Sequence, residues 1–264
     1  MFEQIILGII QGIAEWLPVS SEGWILLAKE NLFHSGDSFQ TGVQQALFLH
    51  LGTFLAALIY FRKDVIELCK TLIHYQKHPK EDQKLIIFLG LSTVISGSLG
   101  LLLLKVFQTF AEAMNGRGES VTILIGILLL FTAFLELRAK HSGYRHAKDI
   151  TITDGIIMGI IQGFAALPGF SRSGLTVSAL LLRKFDRDIA LKISFLMSLP
   201  IVLGGNIFLN IGSFQWSLPA MIGLLFSFAF GLGTIHLMLT VAKKVNFGIF
   251  VLLFGIITII SALI

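Results

Sequence analysis

Charge is scarce in this chain. Charged residues make up 14% of its 264 positions, against roughly 25% in a soluble domain. With 55% hydrophobic residues and a mean hydropathy of +0.83, that shortage excludes a soluble globular protein and indicates an integral membrane one. Cysteine is nearly absent too. Cys69 stands alone, so neither an intrachain disulfide nor a thiolate metal cluster is available, and in its charged surroundings it reads as an incidental thiol. A basic leader is missing: Met1 to Gly8 includes Glu3 and no small-x-small site follows, so no cleavable signal peptide is expected. The net charge of +4 reads as loop topology and not as a nucleic-acid footprint.

What the chain does contain is a duplicated apolar stretch carrying polar residues. Gly8 to Gly23 reads GIIQGIAEWLPVSSEG, and Gly159 to Gly174 reads GIIQGFAALPGFSRSG. Gly8, Gln11, Gly12, Ala14, Leu17, Pro18 and Gly23 recur as Gly159, Gln162, Gly163, Ala165, Leu167, Pro168 and Gly174, while Ser21 matches Ser171 or Ser173. Met1 to Trp16 and Trp24 to Leu32 are each helical by pattern, but shorter than the roughly 20 residues a span needs. A Pro18-Val19-Ser20-Ser21 turn joins them. Two half-length helices around a proline turn predict a re-entrant hairpin, which is tolerated at membrane depth only where protein or a wet cavity surrounds it. Ile150 to Arg183 predicts a second.

Full spans are expected at Thr41 to Tyr60, Lys84 to Val106, Ser120 to Glu136, Ile189 to Leu209, Leu218 to Thr240 and Asn246 to Ile264. The charged stretch Phe61 to Gln83, with His74 and His78, reads as a solvated loop. Phe107 to Glu119, with Asn115-Gly116, reads as a turn. The basic stretch Leu137 to Asp149 divides the halves. The expectation is an all-α integral membrane fold: an inverted-topology repeat of six transmembrane helices plus two re-entrant helical hairpins, with repeats 1–140 and 141–264. One side gathers Arg62, Lys63, Lys70, Lys80, Arg138, Arg145, Arg183, Arg187, Lys243 and Lys244 among others; the opposite side has only Lys29, Lys105 and Arg117. By the positive-inside rule both termini lie outside, and the hairpins enter from opposite faces to meet near the midplane, as in inverted-repeat transporters.

The chemistry concentrates at the two turns. An arginine near a bilayer centre costs about 2.5–3.5 kcal/mol even on translocon scales, so Arg172 is expected to have a polar partner and a function. Each second half-helix begins at its turn, aiming free N–H groups and about half a positive charge inward. Ser20, Ser21, Ser171 and Ser173 are cap residue types there. Helix N-termini with hydroxyls and an arginine fork suit a phosphate, and Thr176 adds a hydroxyl one turn on. Gln11 and Glu15, four apart, face one cavity and offer oxygen ligands to Mg²⁺ or Ca²⁺. Arg172 and two helix ends supply roughly +2, Glu15 and Glu22 about −2, so a diphosphate of some −3 calls for a divalent ion. Structural readings stand beside these: serines and Pro-Gly as kinks, Gln11 and Gln162 satisfying freed backbone groups, Glu22 solvated at a mouth. His50 and His236, inside spans, are proton-relay candidates for which an interhelical hydrogen bond is the plainer expectation.

The run Pro168-Gly169-Phe170-Ser171-Arg172-Ser173-Gly174-Leu175-Thr176, together with Gln11 to Glu15 and the following Leu17-Pro18-Val19-Ser20-Ser21, resembles the undecaprenyl-diphosphate phosphatase family of bacitracin-resistance membrane proteins. The resemblance covers essentially the whole chain. It implies hydrolysis of a polyprenyl diphosphate with Mg²⁺ or Ca²⁺ at the outer face of the plasma membrane, recycling the carrier lipid of cell-wall synthesis. It implies Gln11 and Glu15 for metal or water, Arg172, Ser171, Ser173, Gly174 and Thr176 for phosphate, with Ser20 beside them, and Ser21 as nucleophile or phosphate ligand. The bilayer and the lipid substrate are the expected partners; self-association as a homodimer is left open. One departure stands out. The family usually continues Ser-Ser-Thr-Gly-His, whereas here Ser20-Ser21 is followed by Glu22-Gly23-Trp24. Trp24 replaces a histidine usually given an acid/base or nucleophile role, which makes Glu22 a candidate substitute. The alternatives are a polyprenyl-phosphate flippase or anion transporter, and a relic that binds lipid without turnover.

Overall fold

A computed structural model describes residues 1–33, 39–113, 118–139, 143–210 and 216–263. Their helices are α1 (Phe2–Ala14), α2 (Ser21–Asn31), α3 (Phe39–Tyr60), α4 (Arg62–Ile73), α5 (Lys80–Ala113), α6 (Gly118–Arg138), α7 (Ile152–Phe164), α8 (Arg172–Leu182), α9 (Arg187–Asn210), α10 (Leu218–Lys244) and α11 (Gly248–Ser261). Among the described residues the only β-type pairing is an isolated bridge between Arg145 and Phe185. The chain is an all-α, multi-pass membrane protein.

Stretches within α3, α5, α6, α9 and α10 are long and apolar enough to cross a bilayer. The sixth expected span is shorter than its sequence suggests. α11 has 14 residues, about 21 Å at 1.5 Å per residue, against a hydrocarbon core of about 30 Å. Two loops also differ from expectation. The charged stretch after Tyr60 opens with helix α4, because Val65, Leu68 and Thr71 recur at three-residue spacing and turn one face inward, a helical period the charge count hides. Phe107 to Ala113 continues α5. The Asn115-Gly116 turn, Arg117 and Lys140 lie outside the described residues.

Both predicted hairpins form. In the first, α1 and α2 enclose a turn at Trp16 to Ser20; in the second, α7 and α8 enclose one at Ala165 to Ser171. Each is fastened at its base by an acid and a base. Glu3 in α1 meets Lys29 in α2 at 3.7 Å. Asp154 in α7 meets Arg183, just past the end of α8, and Arg145 of the preceding segment, the latter at 2.7 Å. The two halves pack reciprocally. α1 lies on α10 as α7 lies on α5, α3 packs on α9, and α6 packs on α11. Exchanging the halves leaves this set of neighbours unchanged, and it brings the two hairpin turns together at the centre.

Candidate active site

The turns owe their shape to particular residues. Ser20, at φ 58°, ends the first turn in the left-handed region and caps α2 by accepting from the Gly23 amide at 3.3 Å. Ser171 caps α8 by accepting from the Gly174 amide at 3.1 Å. Each cap serves one N–H, and helix geometry leaves the other N–H groups of the first turn without intrahelical partners. Gly169 stands at φ +103°, and a Cβ there would lie 2.6 Å from the Ile125 carbonyl oxygen. Only glycine fits this turn.

Arg172 is the first residue of α8 and reaches across the interface to Glu15 at the end of α1, making direct contact with its Oε1. Two broken helices from opposite halves thus meet through a buried ion pair. The other carboxylate oxygen, Oε2, accepts from Gln11 Nε2 at 2.9 Å and from Ser21 Oγ at 2.8 Å. His50 Nε2 lies 3.2 Å from the same oxygen. Glu15 is therefore the hub of the site, touched by α1, α2, α3 and α8. The guanidinium also sits 5.6 Å from the centre of the Phe195 ring, a cation–π distance.

His50 makes the interhelical contact expected of it, and that contact is with Glu15. It lies on α3, beyond the first hairpin, and the packing of α3 against α1 brings it to Glu15. Its Nδ1 is 2.7 Å from the Ala46 carbonyl oxygen. That oxygen can only accept, so Nδ1 carries a hydrogen. Nε2 in turn faces a carboxylate. Both ring nitrogens face oxygens that can accept, so the ring is placed to pass a proton into or out of the site. His236 behaves as expected, pairing with Tyr60 Oη at 3.0 Å between α10 and α3.

A cavity of about 50 Å³ lies between the turns, walled by Glu15, Ser20, Ser21, Glu22, His50, Phe170, Ser171, Arg172 and Ser173. A larger cleft of about 490 Å³ continues from it between α3, α5, α7 and α9. The two share Glu22, His50, Ala165 and Arg172. The cleft is otherwise mostly apolar, with Val43, Leu47, Val94, Leu101, Ile201 and Phe208 along it. A polar pocket thus opens into a greasy channel, with an acid, an imidazole and a guanidinium at the junction.

Most of the expected residues converge here, and the exceptions are definite. Ser173 lines the small cavity but donates to the Leu17 carbonyl at 3.1 Å, tying one turn to the other. Gly174 does not line that cavity; it admits Glu136 from behind. Thr176 is fully buried, donates to the Arg172 carbonyl at 2.8 Å and pairs with Ser194 Oγ at 2.6 Å, so it braces the first turn of α8. Trp24 points away, stacked on Phe254 at 4.2 Å and 6° in an apolar cluster. Gln162, the repeat counterpart of Gln11, donates to Ser96 at 3.0 Å. Gln11 Oε1 is buried without a hydrogen-bond partner. An orphaned oxygen beside a carboxylate suits a hard divalent cation, which takes few protein ligands and completes its shell with water and substrate phosphate. Among the described residues no group of three or more His, Cys, Asp or Glu is placed to hold a metal ion, so such a cation would take most of its ligands from water and substrate.

The profile of the family described as bacitracin resistance protein BacA matches residues 4–260. The chain is 43% identical over 265 residues to an undecaprenyl-diphosphatase of Methanococcoides burtonii, covering 98% of this chain and 97% of that one. It is 34% identical over 259 residues to an undecaprenyl-diphosphatase of Methanothrix thermoacetophila, covering 97% and 94%. A further relative of that name, from Alkaliphilus metalliredigens, is 32% identical over 260 residues, covering 92% and 90%.

Proposed function

Since the chain belongs to the bacitracin resistance protein BacA family, we propose that it hydrolyses undecaprenyl diphosphate to the monophosphate and inorganic phosphate, returning the carrier lipid of cell-wall synthesis to use and conferring bacitracin resistance. The observation that carries this reading is the Arg172–Glu15 contact between two opposed half-helix ends, at the mouth of an apolar cleft suited to a polyprenyl tail.

In this reading the diphosphate takes the small cavity and the tail runs into the cleft. Arg172 and the first N–H groups of α8 bind the terminal phosphate. Ser21 Oγ already donates to Glu15, so Glu15 receives the proton of the attacking oxygen, either Ser21 Oγ or a water in its place. The bond from the terminal phosphorus to the bridging oxygen breaks, and the leaving lipid monophosphate takes the proton held at His50 Nε2. His50 thereby supplies the acid that the Trp24 position lacks. Attack by water gives inorganic phosphate directly, whereas attack by Ser21 Oγ leaves a phosphoserine that a water, deprotonated by the now neutral His50, hydrolyses as Glu15 returns the proton to Ser21 Oγ. Glu22 stands at the junction of pocket and cleft. A divalent cation held by Gln11 and Glu15 would neutralise phosphate charge. The inverted insertion of two repeats, 1–140 and 141–264, is supported by the reciprocal helix packing and by the one-sided distribution of basic residues. With both termini outside, the site opens to the outer face of the plasma membrane. A homodimer is compatible with this arrangement.

The deciding experiment is phosphate release from a polyprenyl diphosphate by the purified protein with Mg²⁺. Release should fall by roughly 10²–10³ in Arg172→Ala, as when one preorganised donor to a developing anion is removed. Lipid translocation in vesicles without phosphate release would instead identify a carrier, the class in which paired broken helices are common.

A further inference from the structure

Helix α4 lies outside the membrane spans and turns an apolar stripe outward. The span in α3 ends at Tyr60, and the next one starts at Lys80. The 12 residues of α4 reach about 18 Å. That is too short to cross a hydrocarbon core of about 30 Å, so α4 stays on the basic face where α3 emerges. Its inner side is engaged. Val65 and Leu68 pack on the core cluster that holds Phe61 and Phe195. Asp64 pairs with Lys192 of α9 at 2.5 Å, and Thr71 Oγ1 lies 3.3 Å from His78 Nδ1. These contacts fix which side of the helix faces out. On that side Ile66, Cys69 and Ile73 recur at three- and four-residue spacing, with Leu72 beside them. Ile66 is 54%, Leu72 63% and Ile73 74% exposed, and Cys69 is exposed as well.

The duplication does not call for this helix. Exchange of the halves pairs α3 with α9 and α5 with α10. The link from α9 to α10 runs only from Asn210 to Leu218, whereas the link from α3 to α5 holds α4 besides. Charge then singles out what the outer side meets. Lys63 and Lys70 run alongside the stripe, three and four residues from Ile66, and so neighbour it on the helix surface. Between residues 62 and 84 the side chains of Arg62, Lys63, Lys70, Lys77, Lys80 and Lys84 are exposed, against the acids Glu67 and Glu81. Apolar residues edged by lysines mark a helix that lies in the plane of the membrane interface. The apolar side chains enter the acyl boundary, and the lysine stems let the ammonium groups stay at headgroup level.

We propose that α4 is a seat for anionic phospholipid. Its stripe lies in the leaflet on the basic face, and Lys63 and Lys70 gather lipids of net negative headgroup there. Each basic side chain near an anionic surface favours it about fivefold. Salt screens that attraction and leaves the burial of the stripe in place. The proposal stands apart from the diphosphatase reading, since no residue of α4 lines the headgroup pocket or the cleft.

The test uses Cys69, the only cysteine in the chain, labelled with a fluorophore in protein reconstituted into nanodiscs. The discs hold equal parts of phosphatidylglycerol and phosphatidylcholine, with bromine on the acyl chains of one lipid or of the other. Bromine quenches the label on contact, so it reports both depth and neighbour. Both discs should quench wild type, and bromine on phosphatidylglycerol should quench several-fold more strongly. Raised salt should narrow that difference. Lys63→Gln with Lys70→Gln should remove it while quenching persists, and Lys63→Arg with Lys70→Arg should restore it. Absence of quenching in both discs would mean that the stripe faces water or a protein, and would overturn the proposal. Equal quenching by the two lipids in wild type would overturn it too, as would an undiminished preference in the glutamine variant.

Discussion

At the residue scale, one oxygen explains most of the site. Glu15 Oε2 gathers Gln11, Ser21 and His50, and Oε1 takes Arg172. Gln11 and Glu15 were legible in sequence because four residues apart on a helix fixes a common face. Arg172 was legible because an unpartnered guanidinium in apolar sequence is too costly to be incidental. His50 was not, since its contact joins α3 to α1 and no local spacing encodes it. The caps at Ser20 and Ser171 follow from side-chain type and position; the turn of Thr176 toward Ser194 depends on α9 and could not be foreseen. If His50 delivers the leaving-group proton, His50→Gln should lower kcat by about 10²–10³, within the usual range for general acid catalysis. Binding of a non-hydrolysable diphosphate should survive in that variant. Trp24→Phe, within its aromatic stack, should keep near-normal phosphate release. An inactive Trp24→Phe together with an active His50→Gln would reverse the assignment. Glu22→Gln separates the two acids: in the proposed reading turnover stays near normal, whereas loss of hydrolysis with lipid still bound would make Glu22 the acid.

At the scale of elements, the hairpins are stable because their bases are fastened and their turns are shaped. Asp154, at the surface end of α7 and outside the five long spans, is fully buried. Burial alone would push its carboxyl up, but hydrogen bonds from Arg145, Thr151 and Arg183 hold it well below the usual value of 3.8. A carboxyl depressed on folding contributes stability that is present above its unfolded-state pKa and lost as pH falls toward the folded one. Stability should therefore decline as pH drops below about 4, and Asp154→Asn should flatten that acid limb. Asp154→Ala leaves two arginines without their anion and should cost about 3–5 kcal/mol, read as a lowered denaturation midpoint in detergent. Gly169→Ala tests the turn. Its positive φ costs about 1–3 kcal/mol for a residue with a Cβ, and the Ile125 carbonyl stands in the way. Loss of both stability and phosphate release is expected. The duplicated motif made both hairpins readable in sequence, but helix α4 was masked by its charges, and the length of α11 by an apolar run that extends past its helical part.

At the scale of the whole molecule, the reciprocal packing of the halves does two things at once. It opposes the hairpin ends to make a pocket for charge, and it leaves a cleft between α3, α5, α7 and α9 for the chain that carries the charge. Pro200 inside α9 lines that cleft, where a proline removes one backbone bond of its helix. The division of labour predicts that head and tail recognition are separable. Gly204 lines the cleft, and a Cβ added there meets nothing within 4 Å, so the first carbon of a Gly204→Leu side chain enters open space and the rest narrows the channel. Weakening the ground state and the transition state by the same amount raises KM and spares kcat. Gly204→Leu should therefore raise KM for a long polyprenyl diphosphate several-fold while leaving kcat nearly unchanged. Its kinetics on a short-chain diphosphate, which reaches less far along α9, should match wild type. Equal effects on long and short substrates would mean that the tail leaves by another route and that the cleft serves the headgroup alone.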